Sequence, residues 1–384
     1  MQRFDSIIVG GGVIGASIAF ELSTRGQTVL ILENKRIGSG ASNAAAGMLG
    51  AHNEFSSDHP IVSLALESQK LFPAWSRELK NLTGIDIELV NDGLIKVWED
   101  GATPAIQKQW QYWSTTTSSS AVAYLNKEKL IQQEPAIGER IEGGLYFQKD
   151  GHVNPQLLTK SLIQAAKLNG AVVLESQKVQ QILIEKNKVR GVSTDSTKFI
   201  SEHVVMATGA WSNQLARDIG LELNIIPVKG ECLKLKTDRP LLRSTIFSEN
   251  GCYIVPKKRN ILYIGATSTP HTFDERLSIN GCMNLLSRAT TIIPEIKQAS
   301  LVDFWAGIRP KTEDAIPYLG EHPNLENVWV ATGHYRNGIL LSAITGKIIA
   351  DCIQGRKNWN LDAFRLGRPS VLNVRRKTYV ETGD

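Results

Sequence analysis

The sequence predicts a mixed α/β (α+β) fold in which a parallel sheet covered by helices is interrupted by an antiparallel layer. Apolar strands alternate with helices at 7–32, 171–210 and 328–354, and this alternation is typical of parallel sheets. Short strands with alternating polar and apolar residues, which are typical of antiparallel sheets, lie between these regions, mainly at 223–267. The chain therefore leaves the parallel layer and returns to it, so one cut cannot separate two domains.

Length and composition are those of a globular protein with two domains. The chain has 384 residues, more than one ordinary hydrophobic core holds, and 42% of them are hydrophobic and 21% charged. We expect no membrane partner, because no apolar run has the length of a bilayer span. We expect no nucleic-acid partner, because the net charge of +5 comes from lysines and arginines that are scattered except at 375–377.

Cysteine usage and the N-terminus predict a cytoplasmic protein. The four cysteines show no C-x-x-C spacing, so neither a disulfide nor a metal site is expected. The apolar run from Ile7 to Phe20 could be taken for a signal peptide with a cleavage site at 44–46. The glycines within that run and the charged residues that follow it argue against this reading.

Residues 6–33 are the most informative stretch. A strand at 6–9 runs into Gly10-x-Gly12-x-x-Gly15, and a helix at 16–25 leads to a second strand at 28–32 that ends on Glu33. Gly10 allows a tight turn, Gly12 lets the backbone approach a pyrophosphate, and Gly15 lets the helix pack closely on the sheet. The helix N-terminus attracts phosphate, and an acid at the position of Glu33 can bind ribose hydroxyls. The stretch predicts a dinucleotide-binding motif.

Three other turns are predicted to follow strands near the cofactor. The small-residue loop at 36–43 and the alanine-rich turn at 44–49 predict a second helix N-terminus, with a plain surface loop as the alternative. A strand at 203–211 ends in a Thr-Gly turn, which is either a cofactor contact or a bare strand end. A strand at 328–331, a turn at 332–338 and a helix at 339–354 repeat the strand–glycine-turn–helix pattern.

The remaining segments are predicted to be packing elements. Helices are expected at 60–82, 154–169 and 276–292; Asn154 caps the second, Pro155 begins it and Gly170 ends it. Alternation predicts strands over 85–98, with a turn at 91–93, and over 143–153 and 179–184. The polar segment at 114–120 is expected to be a solvated excursion, and residues from 367 onward an irregular basic tail.

Six motifs together carry a resemblance to a known family: VGGGVIG, AAAGMLGAH, PVKGECL, CYIVP, FWAGIRP and GHYRNGILL. From about residue 4 to about residue 364 the chain resembles the D-amino-acid-oxidase (DAO) superfamily of flavoproteins, and within it the bacterial glycine oxidases of thiamine biosynthesis. The resemblance implies a Rossmann-like FAD-binding domain at 1–85, 150–222 and 304–366. It also implies a discontinuous antiparallel-sheet substrate domain at 86–149 and 223–303, with a C-terminal tail at 367–384.

The cofactor implied by the resemblance is FAD, bound non-covalently because no cysteine lies between Asp303 and Cys352. Together with the glycines of the first motif, the implied contacts follow the diphosphate, the adenine and the isoalloxazine ring. These candidate cofactor-binding residues are Gly10, Gly12, Val13, Ile14, Gly15, Glu33, Asn34, Ala41, Ser42, Ala46, Gly47, Met48, Val179, His334, Tyr335, Arg336, Asn337, Gly338, Ile339 and Leu340.

The candidate catalytic residues are Arg309, Tyr253 and Arg336. A guanidinium fork in a dry pocket can hold both oxygens of a substrate carboxylate, and Arg309 lies in the apolar setting of Trp305 and Pro310. On the sequence alone a structural arginine is the alternative, and the resemblance assigns Arg309 to the carboxylate. The resemblance also assigns Tyr253 to the carboxylate, with a sheet-core tyrosine as the alternative, and the carbonyl of Arg336 to the substrate amine.

Two histidines, His52 and His334, are candidates for a general base, but we interpret both as structural. The resemblance implies hydride transfer from Cα to flavin N5 without an obligatory base. The helix that begins near Gly338 would then stabilise negative charge on the reduced flavin. Gly251 and Ser268 stand where better-known glycine oxidases carry a histidine and a methionine. Sarcosine, small D-amino acids and bulkier N-substituted glycines therefore stay open as substrates.

The function implied is oxidation of glycine and similar small amino acids with FAD and dioxygen by a homotetramer. The products would be glyoxylate, ammonia and hydrogen peroxide. Two alternatives stay open: a dehydrogenase of the same fold that passes electrons to a quinone or another protein, and a non-catalytic flavin-binding protein. A nicotinamide-dependent dehydrogenase fits less well, because the GHYRNG turn has no place in one.

Overall fold

The computed structural model describes residues 3–55, 59–116, 121–356 and 358–368. The chain divides into two compact units, and it passes between them four times. The first unit consists of Met1–Ser42, Thr159–Val228 and Arg309–Asp384, and the second of Asn43–Leu158 and Lys229–Ile308. Residues 43–85, which the predicted domain bounds place with the nucleotide-binding domain, lie in the second unit. The basic cluster at 375–377 and residues 117–120 lie outside the described residues.

The strands and helices follow in chain order, over the described residues. The strands are β1 (Arg3–Val9), β2 (Val29–Leu32), β3 (Met48–Leu49), β4 (Leu94–Trp98), β5 (Val122–Asn126), β6 (Gly143–Phe147), β7 (Gly151–His152), β8 (Val172–Leu174), β9 (Gln181–Glu185), β10 (Lys188–Ser193), β11 (Lys198–Met206), β12 (Ile226–Lys236), β13 (Thr245–Ser248), β14 (Tyr253–Lys257), β15 (Ile261–Gly265), β16 (Thr269–Pro270), β17 (Ser300–Lys311), β18 (Tyr318–Glu321) and β19 (Val328–Thr332). The α-helices are α1 (Val13–Thr24), α2 (Ala41–Ala44), α3 (Ala51–Glu54), α4 (Pro60–Thr83), α5 (Pro104–Thr116), α6 (Lys127–Gln133), α7 (Pro155–Leu168), α8 (Ser212–Arg217), α9 (Ile279–Ile292) and α10 (Gly338–Ile353).

The first unit is built on a sheet whose central strands are parallel. The main path of the sheet runs β18-β19-β11-β1-β2-β8. Strands β19, β11, β1, β2 and β8 are parallel, as predicted, while β18 and the β9–β10 hairpin pair antiparallel to it. Because β1 and β19 run in the same direction, α1 and α10 both begin at the carboxyl edge of this sheet, where ligands bind in open α/β sheets.

Helices α1 and α10 pack against each other in the first unit. The Ser17 hydroxyl donates to the carbonyl of Ser342 at 2.6 Å, and a Cβ added at Gly346 would lie 2.1 Å from Ser17 Oγ. Three-quarters of the residues of both helices are buried, nine of twelve in α1 and twelve of sixteen in α10, because each has the sheet on one side and its neighbour on the other. The two helices therefore form one close-packed layer over the strands.

The second unit contains the antiparallel layer, with strand order β16-β12-β15-β14-β13-β4-β6-β5 and β17 beside β12. Most neighbours are antiparallel, as predicted, but β4 and β13 are parallel. One face of this sheet packs on α9 in a hydrophobic core that includes Ile95, Ile246, Ile254 and Leu285. Because side chains alternate along a strand, Lys96, Phe247 and Tyr253 point to the opposite face.

Several predicted helix ends are confirmed. The side chain of Asn154 accepts a hydrogen bond from the N–H of Leu157 at 3.2 Å, and Pro155 begins α7. The imidazole of His59 caps α4, which begins at Pro60, and Gly84 ends it in the left-handed conformation. Helix α9 begins at Ile279, three residues later than predicted, because Ser278 caps it by accepting from the N–H of Gly281 at 3.0 Å.

Some predicted elements are wrong. Of the strand predicted over 85–98, residues 94–98 form β4 and the predicted turn at 91–93 is confirmed, with Gly93 at φ of +80°. Residues 85–90 do not form a strand: Glu88 has φ of +56°, and only Val90 makes an isolated bridge, with His152. Helices α5 and α6 and strand β5 were not predicted, although Trp113 of α5 is fully buried. The side chain of Arg368, which was assigned to the tail, is almost entirely buried.

Among the described residues, no helix combines the length and apolarity needed to cross a membrane.

Candidate functional site

Residues 10–15, the glycine cradle, connect β1 to α1 in the first unit. A Cβ at Gly15 would lie 2.0 Å from the carbonyl oxygen of Gly10, and a Cβ at Gly10 would lie 2.5 Å from that of Ala207. Gly10 also has φ of +109°. In contrast, a Cβ at Gly12 would approach only the hydroxyl of Ser42, at 3.2 Å. Gly10 and Gly15 are thus required by backbone contacts, while Gly12 keeps space open on the remaining side of the cradle.

The N-terminus of α1 presents its N–H groups at this open side. Its N-cap residue is Gly12, whose lack of a side chain leaves the cap without a side-chain hydrogen bond. The N–H of Val13 donates to Ser42 Oγ at 2.9 Å, which places the predicted loop residues Ala41 and Ser42 at the same helix end. Because N–H groups in a first helical turn have no intrahelical acceptor, this end can bind a phosphate.

The carboxylate of Glu33 lies beside the glycine cradle. Its Oε2 accepts from the N–H of Gly11 and its Oε1 from that of Lys35, both at 2.8 Å. Each oxygen has a second lone pair, so the carboxylate can also accept from two ribose hydroxyls. The N–H of Gln177 donates to the carbonyl of Glu33 at 2.8 Å, which brings the segment of half-buried Val179 to the same end of the sheet. Asn34 is exposed.

Residues 333–338, the late turn, connect β19 to α10 in the same unit. Gly333 has φ of +82°, and Tyr335 is a non-glycine residue with φ of +48°. Asn337 is the N-cap residue of α10 and makes no side-chain cap hydrogen bond. The late turn therefore offers a second helix N-terminus for an anion or an electron-rich ring edge. Ile339 and Leu340, the last predicted contacts, are buried in the first turn of α10.

The end of β17 holds Arg309 beside the late turn. The carbonyl of Pro310 accepts from the N–H of Tyr335 at 2.9 Å, and Lys311 forms a bridge with His334. Arg309 is half-buried and Arg336 is exposed. The structure thus brings the backbones of the two candidate arginines together, although they are far apart in the sequence.

The turn after β17 is held by Arg368. Its guanidinium pairs with both carboxylate oxygens of Asp314, at 2.8 and 2.9 Å, and lies 4.1 Å from the ring centre of Tyr318. Both ionic side chains are 6% exposed. Burial alone would raise the pKa of Asp314, but hydrogen bonds from Arg368 and from the N–H of Ile316 lower it. This clasp fixes the turn that directly follows the Arg309 strand, and the sequence analysis did not find it.

His334 is buried at the centre of the late turn. Its Nε2 lies 3.1 Å from Thr345 Oγ1, and burial lowers its pKa to about 3. The imidazole is therefore neutral at physiological pH, and the hydrogen bond to α10 gives it a structural place, in agreement with our interpretation of this residue.

In the second unit, residues 46–53 run along a template made by residues 150–153. Met48 pairs with His152, and the N–H of Val153 donates to the carbonyl of Gly47 at 2.9 Å. A Cβ at Gly47, where φ is +84°, would lie 2.1 Å from the carbonyl oxygen of Val153. Glycine is therefore required here by the template. Ala46 is buried beside it.

Asp150 anchors the same loop with a carboxylate that is 0% exposed. It accepts from the N–H of His52 at 3.1 Å, from His52 Nδ1 at 2.8 Å, from the N–H of Asn53 at 2.9 Å and from Gln69 Nε2 at 3.0 Å. The imidazole of His52 is thus engaged with Asp150, consistent with our structural interpretation. A buried acid that lies in the turn between β6 and β7 and accepts from the N–H groups of a short helix leaves no periodic pattern, so sequence analysis missed Asp150.

Tyr253 lies on β14, on the sheet face opposite the hydrophobic core of the second unit. The side chain is 8% exposed, and its hydroxyl is 3.3 Å from Cys232 Sγ. A Cβ at the facing Gly265 would lie 2.3 Å from this hydroxyl, so glycine makes room for the ring. The ring of Phe247 stacks at 6.4 Å between centroids.

The glycine cradle fits a dinucleotide with a pyrophosphate. The open side at Gly12 and the N–H groups of α1 match a phosphate, and the acceptor at Glu33 matches a ribose. Comparison with known proteins agrees: the model of the family "DAO: FAD dependent oxidoreductase" matches residues 5–352. The chain belongs to this family. FAD is accordingly its cofactor, and the predictions of fold class, resemblance and cofactor are confirmed.

The proteins similar to this chain include glycine oxidases and a bifunctional ThiO/ThiG protein. Glycine oxidase of Geobacillus kaustophilus is 46% identical over 370 residues, covering 96% of this chain and 97% of that protein. A crystal structure of glycine oxidase from the same organism has a TM-score of 0.92 and covers 96% of this chain and 100% of that one. The bifunctional protein ThiO/ThiG of Trichormus variabilis is 35% identical over 359 residues, and the match spans 53% of its length.

Proposed function

We propose that this member of the DAO family is an FAD-dependent amino acid oxidase that acts on glycine and similar small amino acids. When bound, FAD would accept a hydride from Cα and pass the electrons to dioxygen, which gives hydrogen peroxide. The oxidised amine is hydrolysed, so glycine, water and dioxygen become glyoxylate, ammonia and peroxide. The full-length likeness to glycine oxidases supports the substrate class.

The observation that carries the proposal is the pairing of Pro310 and Lys311 with the late turn. It fixes the backbone of Arg309 beside a helix N-terminus that can face a flavin. In this position Arg309 would bind the substrate carboxylate, and the carbonyl of Arg336 would accept from the amine. Tyr253 would donate its hydroxyl to the same carboxylate. A half-buried guanidinium holds a carboxylate more strongly than an exposed one, because water competes less.

The proposed FAD contacts are the twenty residues given in the sequence analysis, and the domain bounds are those stated there, except that residues 43–85, 150–158 and 304–308 lie in the second unit. The residues of the glycine cradle would hold the diphosphate and Glu33 the ribose. Helix α10 would place its N-terminus at the electron-rich edge of the ring. Binding without a covalent bond is consistent with the late turn and α10, since the nearest downstream cysteine, Cys352, lies near the end of that helix.

The likeness to a ThiO/ThiG protein supports a role in making the thiazole part of thiamine. We further propose a cytoplasmic homotetramer. Exposed apolar side chains in the second unit support association; they are Phe273, Leu277, Ile279 and Met283. Light scattering of the purified protein measures the number of subunits, and a monomer at micromolar concentration would contradict this part of the proposal.

The deciding experiment is the visible spectrum of the purified protein before and after anaerobic glycine. A yellow protein that is bleached by glycine, and recovers on exposure to air with formation of peroxide, supports an oxidase. Bleaching without rapid recovery in stopped-flow reoxidation would identify a dehydrogenase with another electron acceptor. A yellow protein that no amino acid bleaches would identify a non-catalytic flavoprotein.

A further inference from the structure

The side-chain oxygen of Asn53 is a buried acceptor without a donor among the described residues. Asn53 is 3% exposed, and its Oδ1 accepts no hydrogen bond from the part of the chain that the structure describes. The only other such atom among the buried side chains of the described residues is the hydroxyl of Ser201, which can rotate. The backbone around Asn53 is fully engaged: its N–H donates to Asp150, and its carbonyl accepts from Gln109 Nε2 at 2.8 Å and Lys96 Nζ at 3.2 Å. Only the side chain is left for another partner.

The space beside Asn53 is bordered by both an apolar and a charged side chain. A Cβ added at Gly50 would lie 3.5 Å from the Cβ of Asn53, 3.6 Å from Cδ1 of Leu94 and 3.7 Å from Oδ2 of Asp150. Buried polar groups without partners are rare in folded proteins because they lower stability. Such groups tend to be kept where a ligand or an ordered water completes them.

The position of Asn53 relates it to the predicted substrate site within the second unit. Lys96, Phe247 and Tyr253 are register partners on three neighbouring strands, β4, β13 and β14. The ammonium of Lys96 lies 5.9 Å from the ring centre of Phe247 and bonds the carbonyl of Asn53. The backbone of Asn53 is thus bonded to Lys96, which begins a row that ends at Tyr253, and the strands of Lys96 and Tyr253 are two strand spacings or roughly 10 Å apart. Glycine is too short to reach from one end to the other.

We propose that Asn53 is a specificity-determining residue for amino acids longer than glycine. Its carboxamide would hydrogen-bond a terminal polar group, such as an amide or hydroxyl, of a substrate whose carboxylate binds at Tyr253. The proposal rests on the proposed function and extends its substrate class to extended polar amino acids.

The test compares D-glutamine with D-norleucine, which has a similar length but an apolar end. We expect the wild-type protein to favour D-glutamine in kcat/KM by about tenfold, the factor that one net hydrogen bond supplies. In Asn53→Leu this preference should disappear. The same variant should melt about 2 °C higher without substrate, because the unsatisfied group is gone.

The matched control is Asn213→Leu in the first unit. The side chain of Asn213 is satisfied at both ends, donating to the carbonyl of Ile225 and accepting from its N–H, each at 2.9 Å. This variant should melt lower than wild type and keep the D-glutamine preference. A drop in melting temperature for Asn53→Leu would show that an ordered water already satisfies Oδ1, and it would overturn the proposal.

The kinetic outcomes separate the two proposals. If glycine bleaches the flavin but the preference for D-glutamine is absent, or is the same in Asn53→Leu, only the role of Asn53 is wrong. If neither glycine nor any other amino acid bleaches the flavin, the proposed function fails and the specificity proposal fails with it.

Discussion

The two strand–turn–helix motifs of the first unit place their helix N-termini at one edge of the sheet but hold them in different ways. The glycine cradle is fixed by close backbone contacts that only glycine permits, at Gly10 and Gly15. The late turn is fixed from outside, by a hydrogen bond from Tyr335 to Pro310 and by the buried imidazole of His334. The first depends on backbone contacts of glycines, one of them with Ala207 beyond β11, while the second depends on a hydrogen bond to β17 and on a side chain that reaches α10. In the proposed function, the cradle would bind the diphosphate and the late turn would connect FAD binding to the substrate.

Removal of the Arg309 side chain should have the largest effect. We expect Arg309→Ala to lower kcat/KM for glycine by two to three orders of magnitude, because a desolvated ion pair of about 3–5 kcal/mol is lost. Steady-state kinetics with glycine and the FAD content of the purified protein measure this. Near-normal kinetics would show that Arg309 does not bind the substrate and that the late turn is not connected to the substrate site.

Alanine at Gly15 and at Gly338 should separate the two ways of holding a helix. Gly15→Ala should cost about 3 kcal/mol of unfolding free energy and reduce FAD retention, since its Cβ would lie 2.0 Å from a carbonyl oxygen. Gly338→Ala should leave the stability of the apoprotein within about 1 kcal/mol, because its Cβ meets only His334 at 3.7 Å.

Denaturant unfolding of the apoproteins measures the change in unfolding free energy, and titration with FAD measures the change in FAD affinity. If Gly338→Ala retains normal FAD affinity, the late turn does not approach the cofactor closely. If Gly15→Ala is as stable as wild type, the cradle is less rigid than its contacts indicate.

The buried His334 predicts a pH dependence that belongs to the late turn. Its pKa is lowered to about 3, so between pH 6.5 and pH 3 the unfolded chain binds a proton that the folded chain does not. Stability therefore falls as the pH falls through this window. The contribution between pH 7 and pH 5 is about 2 kcal/mol.

His334→Gln should remove this contribution, so the stability gap between variant and wild type should narrow at pH 5. Unfolding in urea at both pH values checks this. An unchanged gap would show that His334 is protonated, or is solvated, in the folded protein.

The clasp at Arg368 should have the smallest effect. Arg368→Lys keeps the charge but loses the planar fork that pairs both oxygens of Asp314, so we expect a loss of about 1 kcal/mol in stability. We also expect a severalfold higher KM for glycine with little change in FAD content, because the clasped turn follows the Arg309 strand. Equal effects of Arg239→Lys, whose ion pair with Glu295 is exposed, would show that the result is not specific to the clasp.

The same comparison explains how much the sequence could predict. The cradle was predictable because its three glycines stand at a fixed spacing within six residues, although the contact that requires glycine at position 10 is with the distant Ala207. The late turn was predicted as a turn before a helix, but its contact with Pro310 was not predicted, and the neighbouring Arg309 was assigned to the site by resemblance. The network of Asp150, the clasp of Arg368 and the unsatisfied Asn53 depend on residues that are distant in sequence. Trp113 was missed because α5 buries the polar Gln109 and exposes the aromatic Trp110, so its apolar pattern is mixed.

The packing of α1 against α10 determines when the nucleotide site can form during translation. The cradle helix emerges from the ribosome first, but its partner is encoded more than three hundred residues later. Until α10 has been made, the apolar flank of α1 has no cover, and β11 lacks its neighbour β19. A nascent chain therefore completes its nucleotide site only near the end of translation, and a prematurely terminated one should be a substrate for chaperones or proteases.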